Sequence, residues 1–73
     1  MTLADLKIGE SATIVWVHAF NELGDRLMEM GLTPGIPITL VRRGPFGNPA
    51  QILVRGYHLS LHRAQTQSIE IRL

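Results

Sequence analysis

Three histidines, His18, His58 and His62, are the first candidates for metal chemistry in this chain. His58 and His62 are four apart, a spacing that suits zinc on a helix. The residues between them, Leu59-Ser60-Leu61, alternate in the manner of a strand. Four residues of strand span roughly 13 Å, while zinc needs each nitrogen at about 2 Å. One metal therefore takes both only if the strand ends early, and surface or structural histidine is the ordinary reading. His18 falls at another strand end. Nucleophilic catalysis has less to work with: there is no cysteine, and Ser11, Ser60 and Ser68 lack a nucleophile-elbow context. Asp25 and Glu29 lie one helical turn apart, but Arg26 is beside them and that face reads as solvated. No glycine sits in a strand-to-helix turn with a Gly-rich fingerprint and a lysine. The reading is of a chain that is not an enzyme and holds no cofactor.

What remains is binding. Phe46 is an apolar group at a hairpin tip, where polar residues are expected. Either it folds back over the end of the domain, or it is an anchor for a partner. Arg42, Arg43, Arg55 and Arg63 form either a solvated face or a basic patch for an acidic partner surface, with Asn48 in the adjoining loop. Met28 and Met30 read as core and helix-face filler rather than soft metal ligands.

Seventy-three residues make one domain. A chain of this size buries only about 60% of the surface that its unfolded form exposes, so its apolar residues must be used well. Without cysteine, neither disulfides nor thiolate metal sites can staple it, an absence that fits a reducing compartment. The formal net charge is +1, with no dominant basic run, so a nucleic-acid footprint is weak. The N-terminal MTLADLKIGES has neither a long apolar run nor a small-residue cleavage site and does not read as a signal peptide. No segment approaches the roughly 20 apolar residues of a membrane span. The expected place is the cytosol, without membrane insertion.

The elements that must position these groups are short. Thr2 to Leu6 reads as one helical turn with Thr2 as cap and Asp5 close to a capping box; Leu3 and Leu6 face inward. A turn at Lys7-Ile8-Gly9-Glu10 leads to a strand over Ala12–His18, with Ile14 and Trp16 on one face and Thr13, Val15 and Val17 on the other. Asn21 is the expected cap of a helix ending near Met30, with Phe20, Leu23, Leu27 and Met30 on one side. Glu22 and Arg26 pair on its exposed side, and Gly24 lets it lie close to a strand. The stretch Arg26 to Ile38 is the corner of the fold. Gly31 sits where a helix end wants positive φ, Leu32 folds back onto Leu27, and Pro34-Gly35 suits the centre of a type II turn. Further strands are expected over Ile36–Arg43, Gln51–Arg55, Tyr57–Leu61 and Ser68–Leu73, with Pro37 near a strand start. The connection Gly44–Pro49 is too long for a two-residue turn, Gly56 makes a tight link or bulge, and His62 to Thr66 forms a short helical turn. Tyr57, Leu59 and Leu61 are expected to point inward. The fold class is mainly β: five strands in a small barrel, with one helix inserted after the first strand and short helical turns near the N-terminus and before the last strand.

RLMEMGLTPG at 26–35, PFGNPAQILVRGYHLSLH at 45–62 and the closing SIEI at 68–71 resemble the FeoA family. That family is the small cytosolic component of bacterial ferrous iron transport. The resemblance covers nearly the whole chain from Leu6-Lys7-Ile8-Gly9 onward. It is carried by Arg26-Leu27, Gly31-Leu32, Pro34-Gly35, the Pro45-x-Gly47-Asn48-Pro49 loop with the Gly56 turn that follows, and a strand ending Leu-x-Leu. It implies an SH3-like barrel, no catalysis, and a cytoplasmic role beside the membrane transporter FeoB, at the inner face of the plasma membrane, through contact with that protein's cytosolic GTP-binding region. Asn48 stands where aspartate is common and His62 where arginine is common; both departures bear on a partner contact. The same barrel closes iron-dependent repressors, but this chain carries no DNA-binding helices. Two other functions stay open: a ferrous iron sensor or chaperone using histidine and carboxylate, and a free-standing SH3-like module for proline-rich peptides. The second is disfavoured because Trp16 and Tyr57 fall at inward-type positions, leaving few aromatics for a groove. Oligomeric state is open, a homo-oligomer included.

Overall fold

The computed structural model describes residues 1–19 and 21–73. The expectation that Phe20 faces inward lies outside them, and the expected cap rests on the side chain of Asn21, which is also not described. Five antiparallel strands form one sheet: β1 (Ser11–Val17), β2 (Pro37–Arg43), β3 (Ala50–Val54), β4 (Tyr57–Leu61) and β5 (Ile69–Arg72), in the order β4-β3-β2-β1-β5. Helix α1 (Asn21–Glu29) joins β1 to β2, and the single turn α2 (Arg63–Thr66) joins β4 to β5. The barrel-like coil stops short of full closure: among the described residues no ladder joins the two outer strands, β4 and β5. The N-terminus covers the β5 edge instead. Thr2 bridges to Glu70, and the Ile71 N–H donates to the Met1 carbonyl at 3.0 Å.

The core is aliphatic, as four aromatic residues require. Leu3, Leu6, Ile14, Leu27, Leu32, Ile38, Leu40, Ile52, Val54, Leu61, Ile69 and Ile71 are buried together. The 3-10 turn Leu3–Asp5 delivers the first two; the Thr2 N–H donates to Asp5 Oδ2 at 2.9 Å, which fixes its start. Helix α1 ends as the corner stretch requires. The Leu32 N–H reaches the Leu27 carbonyl at 3.1 Å and the Gly31 N–H the Met28 carbonyl at 3.0 Å, with Gly31 at φ +89°. This is a Schellman ending, and it leaves Leu27 and Leu32 buried against the same core. Thr33 to Ile36 then turn about Pro34-Gly35, with Gly35 at φ +91°. The Gly35 N–H donates to the Ile14 carbonyl at 2.7 Å, which docks the corner on β1.

Two β-bulges decide which side chains reach the surface. Between Ile14 and Trp16 the pairing with β5 slips by one residue. An extra residue in one strand reverses the facing of everything after it. Trp16 is therefore 56% exposed rather than inward, and Val17 packs on the core in its place. The same slip occurs in β2 between Leu40 and Arg42. Val41 is the extra residue, Arg42 faces out opposite Gln51, and Arg43, opposite Ala50, turns under the sheet.

Four smaller expectations are also corrected. Met28 is 51% exposed and is no core filler. Tyr57 is 44% exposed; its ring lies at the end of α1, where its hydroxyl donates to the Met30 carbonyl at 2.7 Å. That carbonyl would otherwise be one of the helix's orphan acceptors. A Cβ at Gly24 would strike the Ala19 carbonyl oxygen, so this glycine makes room for the chain entering the helix and not for a strand. Glu22 and Arg26 do not pair: among the described residues the one ion pair within 4.0 Å is His18–Glu70.

Candidate interaction surface

The Gly44–Pro49 connection projects an aromatic side chain into solvent. Pro45–Gly47 form a 3-10 turn in which Phe46 takes φ 59° and Gly47 φ 81°. Positive φ in a bulky residue is disfavoured, and here it swings the ring away from the domain: Phe46 is 98% exposed. It does not fold back over the end of the barrel. The loop base is closed by the Gly44 N–H on the Pro49 carbonyl at 2.8 Å, beside a cis Asn48-Pro49 bond. A Cβ on Gly44 would meet the Asn48 carbonyl oxygen at 2.7 Å, so this base admits no side chain.

The arginines expected to surround Phe46 divide into three situations. Arg43 reaches beneath the N-terminal turn. Its guanidinium donates to the carbonyls of Ala4 (3.0 Å), Leu6 (2.8 Å) and Gly47 (3.4 Å) and so ties the N-terminal turn to the loop. Arg63, from α2, donates to the Phe46 carbonyl at 3.3 Å and stays exposed. Arg42 lies on the outer face, its Nε donating to Gln51 Oε1 at 2.6 Å. Arg55 belongs elsewhere. With φ 51° it forms, with Gly56 at φ 83°, the two-residue turn between β3 and β4, which matches the primed hairpin class. Its side chain packs over Gly31 beside Tyr57, at the end of the sheet opposite the loop. The structure thus brings Arg42, Arg43, Phe46, Asn48 and Arg63 to one pole. A cleft of about 230 Å³ opens there, lined by Arg43, Asn48, Arg63, Thr66 and Gln67 among others.

The histidines stay apart. His18 Nε2 and Glu70 Oε1 are 2.7 Å from each other on the surface. His58 lies mid-strand opposite Leu53, and His62 just beyond β4, where its N–H binds Gln65 Oε1 at 2.7 Å. Among the described residues no three His, Asp or Glu side chains assemble as metal ligands, and no buried side-chain nitrogen or oxygen lacks a partner. Outside the loop pole, Trp16, Val17, Met28 and Pro34 line a shallow apolar dimple of about 70 Å³. The residue pattern does not announce this dimple, because it exists only through the slip in β1. Trp16 and Tyr57, expected inward, are both exposed, so these aromatics are at the surface after all.

A small, coiled five-stranded sheet with an inserted helix is the architecture of an SH3-like domain. The family model of the FeoA domain matches residues 1–73, and the chain belongs to that family, which is associated with ferrous iron transport. It is 34% identical over all 73 residues to the Fe(2+) transport protein A/Fe(2+) transporter FeoB fusion protein of Porphyromonas gingivalis, of which it spans 9%. The solution structure of iron(II) transport protein A from Clostridium thermocellum superimposes with a TM-score of 0.94 at 29% identity, covering 100% of this chain and 45% of that one. The zinc complex of Stenotrophomonas maltophilia FeoA, described as a prokaryotic SH3 domain protein, gives 0.86 at 28% identity over 99% of this chain and 89% of that one.

Proposed function

We propose that this chain is a non-catalytic accessory protein of bacterial ferrous iron uptake, acting at the inner face of the plasma membrane by contact with the cytosolic GTP-binding region of FeoB. The observation that carries this reading is the Porphyromonas gingivalis relative, in which the same domain and FeoB are one polypeptide. The loop pole supplies the physical means. Phe46 is an exposed aromatic anchor, with Arg63 on its backbone carbonyl and Arg42 near the loop base to supply charge for an acidic partner surface. Exposed aromatics of this kind dominate interface energetics. The test is capture of the FeoB cytosolic region by this chain. Phe46→Ala is expected to weaken capture about 30-fold, as the loss of a 2 kcal/mol anchor would. Unchanged capture would remove Phe46 from the contact, and no capture by the native chain would end the reading.

A second reading, direct binding of ferrous iron, draws support from the zinc held by the Stenotrophomonas maltophilia relative. The His18–Glu70 pair is the one histidine–carboxylate contact available for it among the described residues. Anaerobic titration with ferrous iron decides the matter. A micromolar 1:1 isotherm abolished by His18→Ala or His58→Ala would establish a sensor or chaperone.

A further inference from the structure

Charge is segregated along this chain. Residues 30–69 carry Arg42, Arg43, Arg55 and Arg63 and no aspartate or glutamate, whereas α1 carries Glu22, Asp25 and Glu29 against Arg26 alone. The acidic side chains line one open face of the helix. Asp25 stands one turn before Met28, so the acidic face borders the apolar dimple of Trp16, Met28 and Pro34. At the loop pole Phe46 is fully exposed, Arg63 donates to its backbone carbonyl, and Arg42 lines a cleft with Gly44 and Pro49 at the loop base. One surface is an apolar recess bordered by three carboxylates, with Arg26 on the same helix face and Arg55 at the same end of the sheet; the other is an apolar projection bordered by Arg63 and Arg42.

The two lie at opposite ends of the sheet. Thr13 of β1 pairs with Pro37, the first residue of β2, so Trp16 lies beyond the start of β2. The Phe46 loop follows the end of β2. A single copy therefore cannot seat its own Phe46, but a second copy can. We propose that this chain self-associates head to tail, with Phe46 of one copy seated in the Trp16–Met28–Pro34 dimple of the next and Arg63 facing Asp25 and Glu29. Such an interface is heterologous, and it extends as an open chain unless its rotation closes a ring. Each contact is small, and interfaces well below about 1,200 Å² are weak and transient. Association is thus expected in the upper micromolar range, about 100 μM.

Sedimentation equilibrium of the full chain, without transporter, tests this, and its outcome is independent of FeoB capture. The weight-average mass of the native chain is expected to rise with concentration past that of a dimer. It should fall back several-fold in apparent association constant at 0.5 M NaCl, where exposed charges are screened. Phe46→Ala and Trp16→Ala, both at exposed positions, should each be folded by circular dichroism and monomeric. An equimolar mixture of the two variants retains one intact ring and one intact recess, so it should form a heterodimer and go no further. A native chain that stays monomeric to about 1 mM, a Phe46→Ala variant that associates like the native chain, a salt-insensitive association, or a mixture that stays monomeric would each overturn the proposal.

Discussion

Arg43 illustrates how a charged residue in a basic cluster becomes part of the framework. Its guanidinium meets three backbone carbonyls, on Ala4, Leu6 and Gly47, and the planar fork suits such multiple acceptors in a way a lysine ammonium does not. Arg43→Ala is expected to lower stability by about 2–3 kcal/mol, and Arg43→Lys by about 1 kcal/mol, from charge-assisted bonds lost. Arg42→Ala, at an exposed site with one side-chain partner, should stay within about 0.5 kcal/mol. Urea denaturation separates these; equal effects would deny Arg43 its framework role. Gly24 makes a second prediction at this scale. Glycine to alanine inside a helix ordinarily stabilises by roughly 1 kcal/mol. Here the new methyl would strike the Ala19 carbonyl, so Gly24→Ala is expected to destabilise, with a lowered urea midpoint as the sign to look for.

The elements repay comparison with what their residues announce. The stop at Gly31, the fold-back of Leu32 and the Pro34-Gly35 turn were legible because each depends on local φ preferences of glycine and proline, and the structure realises all three. The strands were legible through period two, with ends displaced by a residue or so. The bulges were not, because an extra residue in a strand is decided by long-range pairing: Val15 and Val41 are ordinary strand residues with no local mark of their role. From that gap follow the inward placing of Trp16, which is exposed, and the partial burial of the Arg43 side chain, which the residue pattern does not announce. Arg55 shares only its residue type with the loop arginines, and topology sets it at the other end. The bulge in β1 carries its own prediction. Trp16 is the sole tryptophan, and it is exposed, so acrylamide should quench native fluorescence nearly as well as it does in urea. Strong protection of the native signal would mean that β1 pairs without the slip. The N-terminal turn carries another. Leu3 and Leu6 are fully buried, and losing each large aliphatic side chain costs about 2–5 kcal/mol. A domain of this size has little more than about 5 kcal/mol in total, so a chain lacking residues 1–6 is expected to show no cooperative melt.

At the scale of the whole molecule the domain measures 28 × 23 × 22 Å along its principal axes and has its two contrasting surfaces at opposite ends of the sheet. Among the described residues the interior is given to aliphatic packing, and no titratable side chain is fully buried. The bridging of Thr2 to Glu70 and of Met1 to Ile71 brings the first and last residues to one seam. Glu70, which Thr2 bridges, is also the partner of Trp16 in the β1–β5 ladder, so this seam runs beside the Trp16 recess. A covalent tether raises the local concentration of its cargo to the millimolar range when it is short. In the Porphyromonas gingivalis fusion a feeble docking surface would thus be occupied most of the time, whereas between separate polypeptides the same occupancy demands a far better fit. Between separate polypeptides, the contact proposed for Phe46 would have to supply by surface chemistry what the fusion supplies by a covalent leash.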